Sequence, residues 1–234
     1  MEFAAVVRRR RMVRDYDPDR PVPPATVHRL LDHATRAPSA GFTQGWAFLV
    51  LSTAQQRARF WTAASPEPTA LTGRRAGWRA GLQRAPLIVV PCSSQAAYLD
   101  RYAEPDKGWI DRDPQRWPVP YWHVDAGFAA LMILLSAVDE GLGACFFGIP
   151  GPRLPALRAT FAIPDSYAPV GAITVGYPVT DRRSPSLKRG RRPVDSVVHY
   201  GSFATDALSP ETRGDLDVNP TVGDDNPPVN PTIG

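Results

Sequence analysis

Three polar clusters hold the residues of this 234-residue chain best suited to chemistry. The first is Arg10-Arg11-Met12-Val13-Arg14-Asp15-Tyr16. The second, residues 37–46, reads Ala-Pro-Ser-Ala-Gly-Phe-Thr-Gln-Gly-Trp. The third is Lys188-Arg189-Gly190-Arg191-Arg192-Pro193. A glycine-rich stretch between them, residues 141–151, reads Gly-Leu-Gly-Ala-Cys-Phe-Phe-Gly-Ile-Pro-Gly. Taken singly, each has a plain origin. Arginine runs line solvated faces, Pro-Ser-Ala-Gly is turn chemistry, and Gly-Leu-Gly can end a helix.

Several chemistries are excluded by spacing. Gly141 and Gly143 lack the third glycine of a dinucleotide fingerprint, because position 146 is Phe, and they follow a helix pattern rather than a strand. There is no P-loop, no Gly-x-Ser-x-Gly elbow and no metalloprotease helix. His28 and His33 are five apart, so they are not an i, i+4 ligand pair, and no metal site is expected. Cys92 and Cys145 suit buried thiols in a reducing compartment rather than a disulfide framework. The arginine clusters lack interleaved stacking aromatics, so no nucleic-acid partner is expected. The longest apolar run, residues 126–138, is 13 residues, too short to span a bilayer. The start of the chain is ordered wrongly for a secretory signal. A cytoplasmic protein with no membrane partner is the expectation.

Charge divides the chain. Residues 206–234 hold six acids and one base, a local −5, against a net +4 for the whole. That region has five prolines and no aromatic residue, and is expected to be disordered. It repeats Val-Asn-Pro-Thr-Val-Gly at 218–223 as Val-Asn-Pro-Thr-Ile-Gly at 229–234. The repeat is either low-complexity drift or a bivalent docking motif for a larger assembly, in which two weak copies gain from effective concentration.

The elements that must position the clusters follow from periodicity. Helices are expected over 2–11, 25–37, 53–64, 71–84, 122–140 and 153–161, and strands over 47–52, 87–91, 144–149 and 169–177. Mixed helices and strands give an α/β or α+β class. The 122–140 helix has an apolar centre all round, so it must be covered on every side, and an oligomer interface is one way to cover it. Residues 103–121 show no periodicity and read as a functional loop or lid.

In this order and at these distances, the clusters resemble the FMN-dependent nitroreductase family, over residues 1–203. Arg10 to Tyr16 matches the family's Arg-Arg-Ser-x-Arg-x-Phe. Residues 37–46 match Ala-Pro-Ser-x-x-Asn-x-Gln-Pro-Trp. Residues 125–143 match its long helix ending Gly-Leu-Gly, Gly176-Tyr177-Pro178 its Gly-Tyr-Pro, and residues 189–194 its closing basic stretch. Met12, Phe42 and Gly45 depart from the family's Ser, Asn and Pro. The resemblance implies an α+β, three-layer α-β-α fold with a mostly antiparallel central sheet wrapped by helices, in a domain-entwined homodimer. It also implies an enzyme that takes hydride from NADH or NADPH, with a deazaflavin as the alternative donor, and reduces a small flat acceptor such as a nitroaromatic, quinone or enone in ping-pong fashion. A flavin store or sensor without turnover is the rival reading.

Roles follow from the same resemblance. Planar arginine forks suit a phosphate, which assigns Arg10, Arg189 and Arg191 to it, with Arg11 as a possible partner. Arg14 would place a cation beside the flavin edge that gains negative charge on reduction. Met12, Pro38, Ser39, Ala40 and Gln44 would contact the ring edge or ribityl chain. Backbone at Ile149, Pro150 and Gly151 would approach flavin N5, and since Pro150 has no N–H, Gly151 is the donor. Arg14 and Gly151 are thus the candidate catalytic groups. In the lid, Tyr102, Glu104 and Lys107 resemble the zwitterion clamp of iodotyrosine deiodinases, and Trp109 and Trp117 could wall a flat substrate. The Pro-Ser-x-Gly-Phe variant is closer to a flavin-destroying branch, but Met12 and Phe146 replace the Asp and Ser which that chemistry uses.

Overall fold

The structure is a computed structural model that describes residues 1–65, 74–179 and 184–203, with side chains omitted at 74–76. The acidic tail and its repeat lie outside the described residues. The chain divides into a unit spanning Met1–Arg182 and a second from Arg183 onward.

In the first unit the helices are α1 (Phe3–Arg9), α2 (Pro24–Thr35), α3 (Ala54–Ala64), α4 (Arg74–Gln83), α5 (Gln95–Tyr102), α6 (Tyr121–Asp139) and α7 (Leu154–Phe161). The strands are β1 (Trp46–Leu51), β2 (Leu87–Ser93), β3 (Gly143–Phe147), β4 (Ala168–Pro169) and β5 (Ala172–Gly176). Local chemistry sets several boundaries. Pro24 sits in the first turn of α2, where its missing N–H costs nothing. Thr53 and Gln56 close a capping box on α3. Ser94 caps α5 by accepting from the Ala97 amide.

The sheet runs β1-β2-β5-β3, antiparallel throughout, with β4 paired to β2. Side chains alternate across it, as strand geometry requires. Ile88, Val90 and Cys92 face one layer, with Phe60 and Trp61 of α3, Leu82 of α4 and Leu157 of α7. Leu87 and Val89 face the other, with Leu30 and Ala34 of α2 and Ala129, Ile133 and Ala137 of α6. The expected three-layer α+β arrangement is what forms.

Two expectations shift. The strand expected over 169–177 is interrupted: β5 pairs β2 as far as Val89↔Ile173, and pairing resumes only at Cys92↔Pro169. Pro91 lies in the gap and has no N–H to give the ladder, although its carbonyl accepts from Val170. Helix α5 forms where no helix was expected. Helix α6 has the length and apolarity of a membrane span, but its inner face is core. Its outer side stays bare within one chain, with Phe128 and Leu131 at 44% and 45% exposure.

The second unit, over 184–203, has two short 3-10 turns, Pro185–Arg189 and Val194–Ser196. Arg189 and Arg191 lie there, exposed. His199 stacks on Phe203 at 4.4 Å between ring centroids.

Candidate functional site

The arginine segment is wedged between a helix and the sheet. Met12 bridges Ala144 of β3 in parallel, and the Val13 amide donates to the Ala144 carbonyl at 2.9 Å. Tyr16 is fully buried, and its hydroxyl donates to the Val13 carbonyl at 2.6 Å. Two glycines make room for the segment. A Cβ on Gly143 would lie 2.7 Å from the Val13 side chain, and one on Gly81 of α4 would lie 2.1 Å from the Arg14 carbonyl oxygen. Arg14 is half-buried, and its guanidinium donates to the Met12 carbonyl at 3.1 Å. Arg10 is half-buried and Arg11 exposed.

Strand β3 links this segment to the second candidate. From Ala144 it runs roughly 13 Å, at about 3.3 Å per residue, to the 148–151 loop. Gly148, Pro150 and Gly151 are exposed there and Ile149 is half-buried. A Cβ on Gly148 or Gly151 would meet nothing within 4 Å. The backbone of this loop is therefore open to a ligand.

The third candidate, the 39–45 loop, is built the opposite way. Gly41, Phe42 and Gln44 all have positive φ, at 61°, 55° and 53°. For the two non-glycine residues that conformation is costly, and it persists because neighbours impose it. The Gln44 amide donates to Ser39 Oγ at 3.0 Å, and Thr43 Oγ1 donates to the Ala40 carbonyl at 2.6 Å. The Ala40 amide donates to Asp125 Oδ2 of α6 at 2.8 Å. Arg101 of α5 donates through Nε to the Gly41 carbonyl at 3.0 Å. Tyr98 fills the space beside Gly45, where a Cβ would lie 2.5 Å from its ring, and Tyr102 does the same for Gly41 at 2.7 Å. The Pro-to-Gly departure at position 45 follows from that contact. Pro38, Phe42 and Gln44 are exposed, while Ser39 and Ala40 are half-buried.

One chain does not gather all three. The 39–45 loop precedes β1, and the 148–151 loop follows β3. Both lie at the same end of the sheet but on opposite edges. Three strand spacings separate them, roughly 14 Å at about 4.8 Å each.

The 103–121 lid is packed rather than open. Tyr102, Trp109 and Trp117 form one cluster, with centroids 4.9 Å apart for Tyr102–Trp109 and 4.6 Å for Tyr102–Trp117. Glu104 pairs with Arg101 at 3.2 Å, and Lys107 lies over the Tyr102 ring at 5.4 Å. Arg101 also grips Asp106 with both terminal nitrogens at 2.7 Å. Its guanidinium hydrogen bond holds the Asp106 carboxyl below the usual range.

Sequence reasoning missed α5 and Asp125. Asp125 is 2% exposed and Tyr98 fully buried, with 2.5 Å between the Tyr98 hydroxyl and Asp125 Oδ2. Burial and this carboxylate push the Tyr98 phenol well above its usual value. An acid set in the apolar run of α6, well before the Asp139 that ends it, was the available signal. Cys92 is buried with its thiol pushed up to about 11, which makes it inert. Among the described residues no group of His, Cys, Asp or Glu could hold a metal.

The model of the nitroreductase family matches residues 7–177. The chain belongs to the nitroreductase family. It is therefore an oxidoreductase. A 4-nitrobenzoate reductase of Nocardioides sp. is 30% identical over 226 residues, covering 85% of this chain and 89% of that protein. A Bacillus subtilis protein, provisionally named an NAD(P)H nitroreductase, is 25% identical over 199 residues, 82% of this chain and 95% of that one. A structure from Exiguobacterium sibiricum, provisionally a nitroreductase and solved with FMN, superposes with a TM-score of 0.64 at 19% identity. It covers 86% of this chain and 97% of its own. That likeness concerns the fold.

Proposed function

We propose that this nitroreductase-family chain binds FMN and uses NADH or NADPH to reduce small flat acceptors, nitroaromatics first among them. The observation that carries the reading is β3, which seats the Arg10–Arg14 segment near its start and ends in an open glycine loop. Cationic forks and bare backbone N–H groups on one strand fit a flat ligand with a phosphate. Bound FMN supplies the two-electron relay between a nicotinamide and an acceptor. Arg14 would hold positive charge at the ring edge, Gly151 would offer an N–H to N5, and Arg10 would take the phosphate. Ser39, Ala40 and Gln44 would complete the pocket from a second copy of the chain. The roughly 14 Å between the two loops and the bare side of α6 both favour that isologous dimer. The relatives' names, one for 4-nitrobenzoate and one for NAD(P)H, agree with this substrate class. Buried Cys92 and Cys145 suit a cytoplasmic setting.

The test is reconstitution with FMN, followed by anaerobic reduction with each nicotinamide and then an acceptor panel. Protein that stays colourless after reconstitution overturns the reading. Arg14→Ala is expected to slow flavin reduction about 100-fold, the usual scale for one electrostatic group, and to weaken FMN binding less. Equal losses would remove Arg14 from the ring edge.

A further inference from the structure

We infer that Asp125 is a positioning residue that holds the 39–45 loop in its ligand-binding shape from behind, an inference that rests on the FMN reading above. Asp125 is an ionisable side chain within the apolar length of α6 that neither the fold nor the proposed chemistry uses directly. It is 2% exposed, and its Oδ2 takes both the Ala40 amide at 2.8 Å and the Tyr98 hydroxyl at 2.5 Å. A buried carboxylate is expensive to keep. Both of its partners are neutral, and apolar packing would have covered the same area at lower cost. What the carboxylate adds is direction. It fixes the amide of the residue next to Ser39, and it fixes the hydroxyl of the ring that fills the slot beside Gly45. One oxygen atom thereby holds the loop directly at Ala40 and, through the Tyr98 ring packed beside Gly45, at its other end, and Arg101 holds it between them at the Gly41 carbonyl. Between those points lie the strained residues Phe42 and Gln44, which relax unless their surroundings over-determine them. Asp125 touches no ligand in this arrangement. It acts through Ala40 and Tyr98.

The experiment compares Asp125→Ala, Asp125→Asn and Tyr98→Phe with the wild-type full chain. One readout is hydrogen exchange at amides 40–45 in flavin-free protein, and the other is FMN affinity from quenching of flavin fluorescence. Asp125→Ala is expected to speed exchange at 40–45 and weaken FMN binding about 10- to 100-fold, the scale set by losing a charged hydrogen-bond partner. β2 should stay protected. Asp125→Asn keeps an oxygen that can accept both bonds and should stay within about threefold of wild type on both readouts. Tyr98→Phe leaves the Ala40 bond in place and should fall between the two, which keeps the inference testable if Asp125→Ala does not fold. Unchanged exchange at 40–45, a loosened loop with unchanged FMN affinity, or equal acceleration in the loop and β2 would each overturn it. Wild-type protein that takes up no FMN overturns the functional reading instead, and the exchange readout then judges the clamp alone.

Discussion

At the β1 edge of the sheet, the 39–45 loop is held by Asp125, Arg101, Ser39 and two tyrosine rings, and it carries positive φ at two non-glycine residues. At the β3 edge, Gly148, Pro150 and Gly151 of the 148–151 loop are exposed, and a Cβ on either glycine would meet nothing within 4 Å. The two loops illustrate different ways to present backbone to a ligand. A strained loop needs neighbours that leave it no alternative. A loop that meets a ligand edge-on needs side chains kept out of the way. Glycine serves both loops for opposite reasons, fitting under a ring at Gly45 and leaving space at Gly148.

Substitutions can break that contrast. The largest effect is expected at Gly81, which backs the arginine segment. A Cβ there meets a backbone carbonyl at 2.1 Å, which cannot rotate away. Gly81→Ala should cost about 3 kcal/mol, read as a fall in Tm. Gly45→Ala should cost about 2 kcal/mol, because the Tyr98 ring it meets is itself fully buried. Gly148→Ala, in open space, should change stability by less than about 0.5 kcal/mol while still weakening FMN binding. Equal thermal losses for Gly45→Ala and Gly148→Ala would erase the distinction between the edges. The smallest effect runs the other way. Phe42→Gly should stabilise the chain by about 0.5 kcal/mol, since relief of the left-handed backbone slightly exceeds the entropy glycine adds to the unfolded chain. Thermal unfolding of the flavin-free protein reads all four.

The sequence carried the fold well where period and punctuation were strong. The α6 pattern, the capped α3 and the buried β2 all formed within a few residues of expectation. It carried the site less completely. The arginine and Pro-Ser clusters could be proposed from the sequence because each is local, and their roles belong to the FMN proposal. Asp125 was not, because its partners Tyr98 and Ala40 lie 27 and 85 residues away, and no period encodes that meeting. Helix α5 was hidden by its length of 8 residues and by Asp100 and Arg101 breaking its apolar pattern. Ser94 as a cap, with Tyr98 and Tyr102 four apart, was the signal available. The break between β4 and β5 was legible only through Pro91 on the neighbouring strand, whose effect depends on a pairing that had yet to be known.

The uncovered side of α6 has a thermodynamic consequence. Phe128 and Leu131 are exposed on a helix whose opposite side is core. A partner that covered them would bind the folded chain and not the unfolded one, so the melting temperature would rise with the concentration of that partner by mass action. If the partner is a second copy, dilution alone lowers the melting temperature, and no single unfolding free energy describes this chain without its concentration beside it.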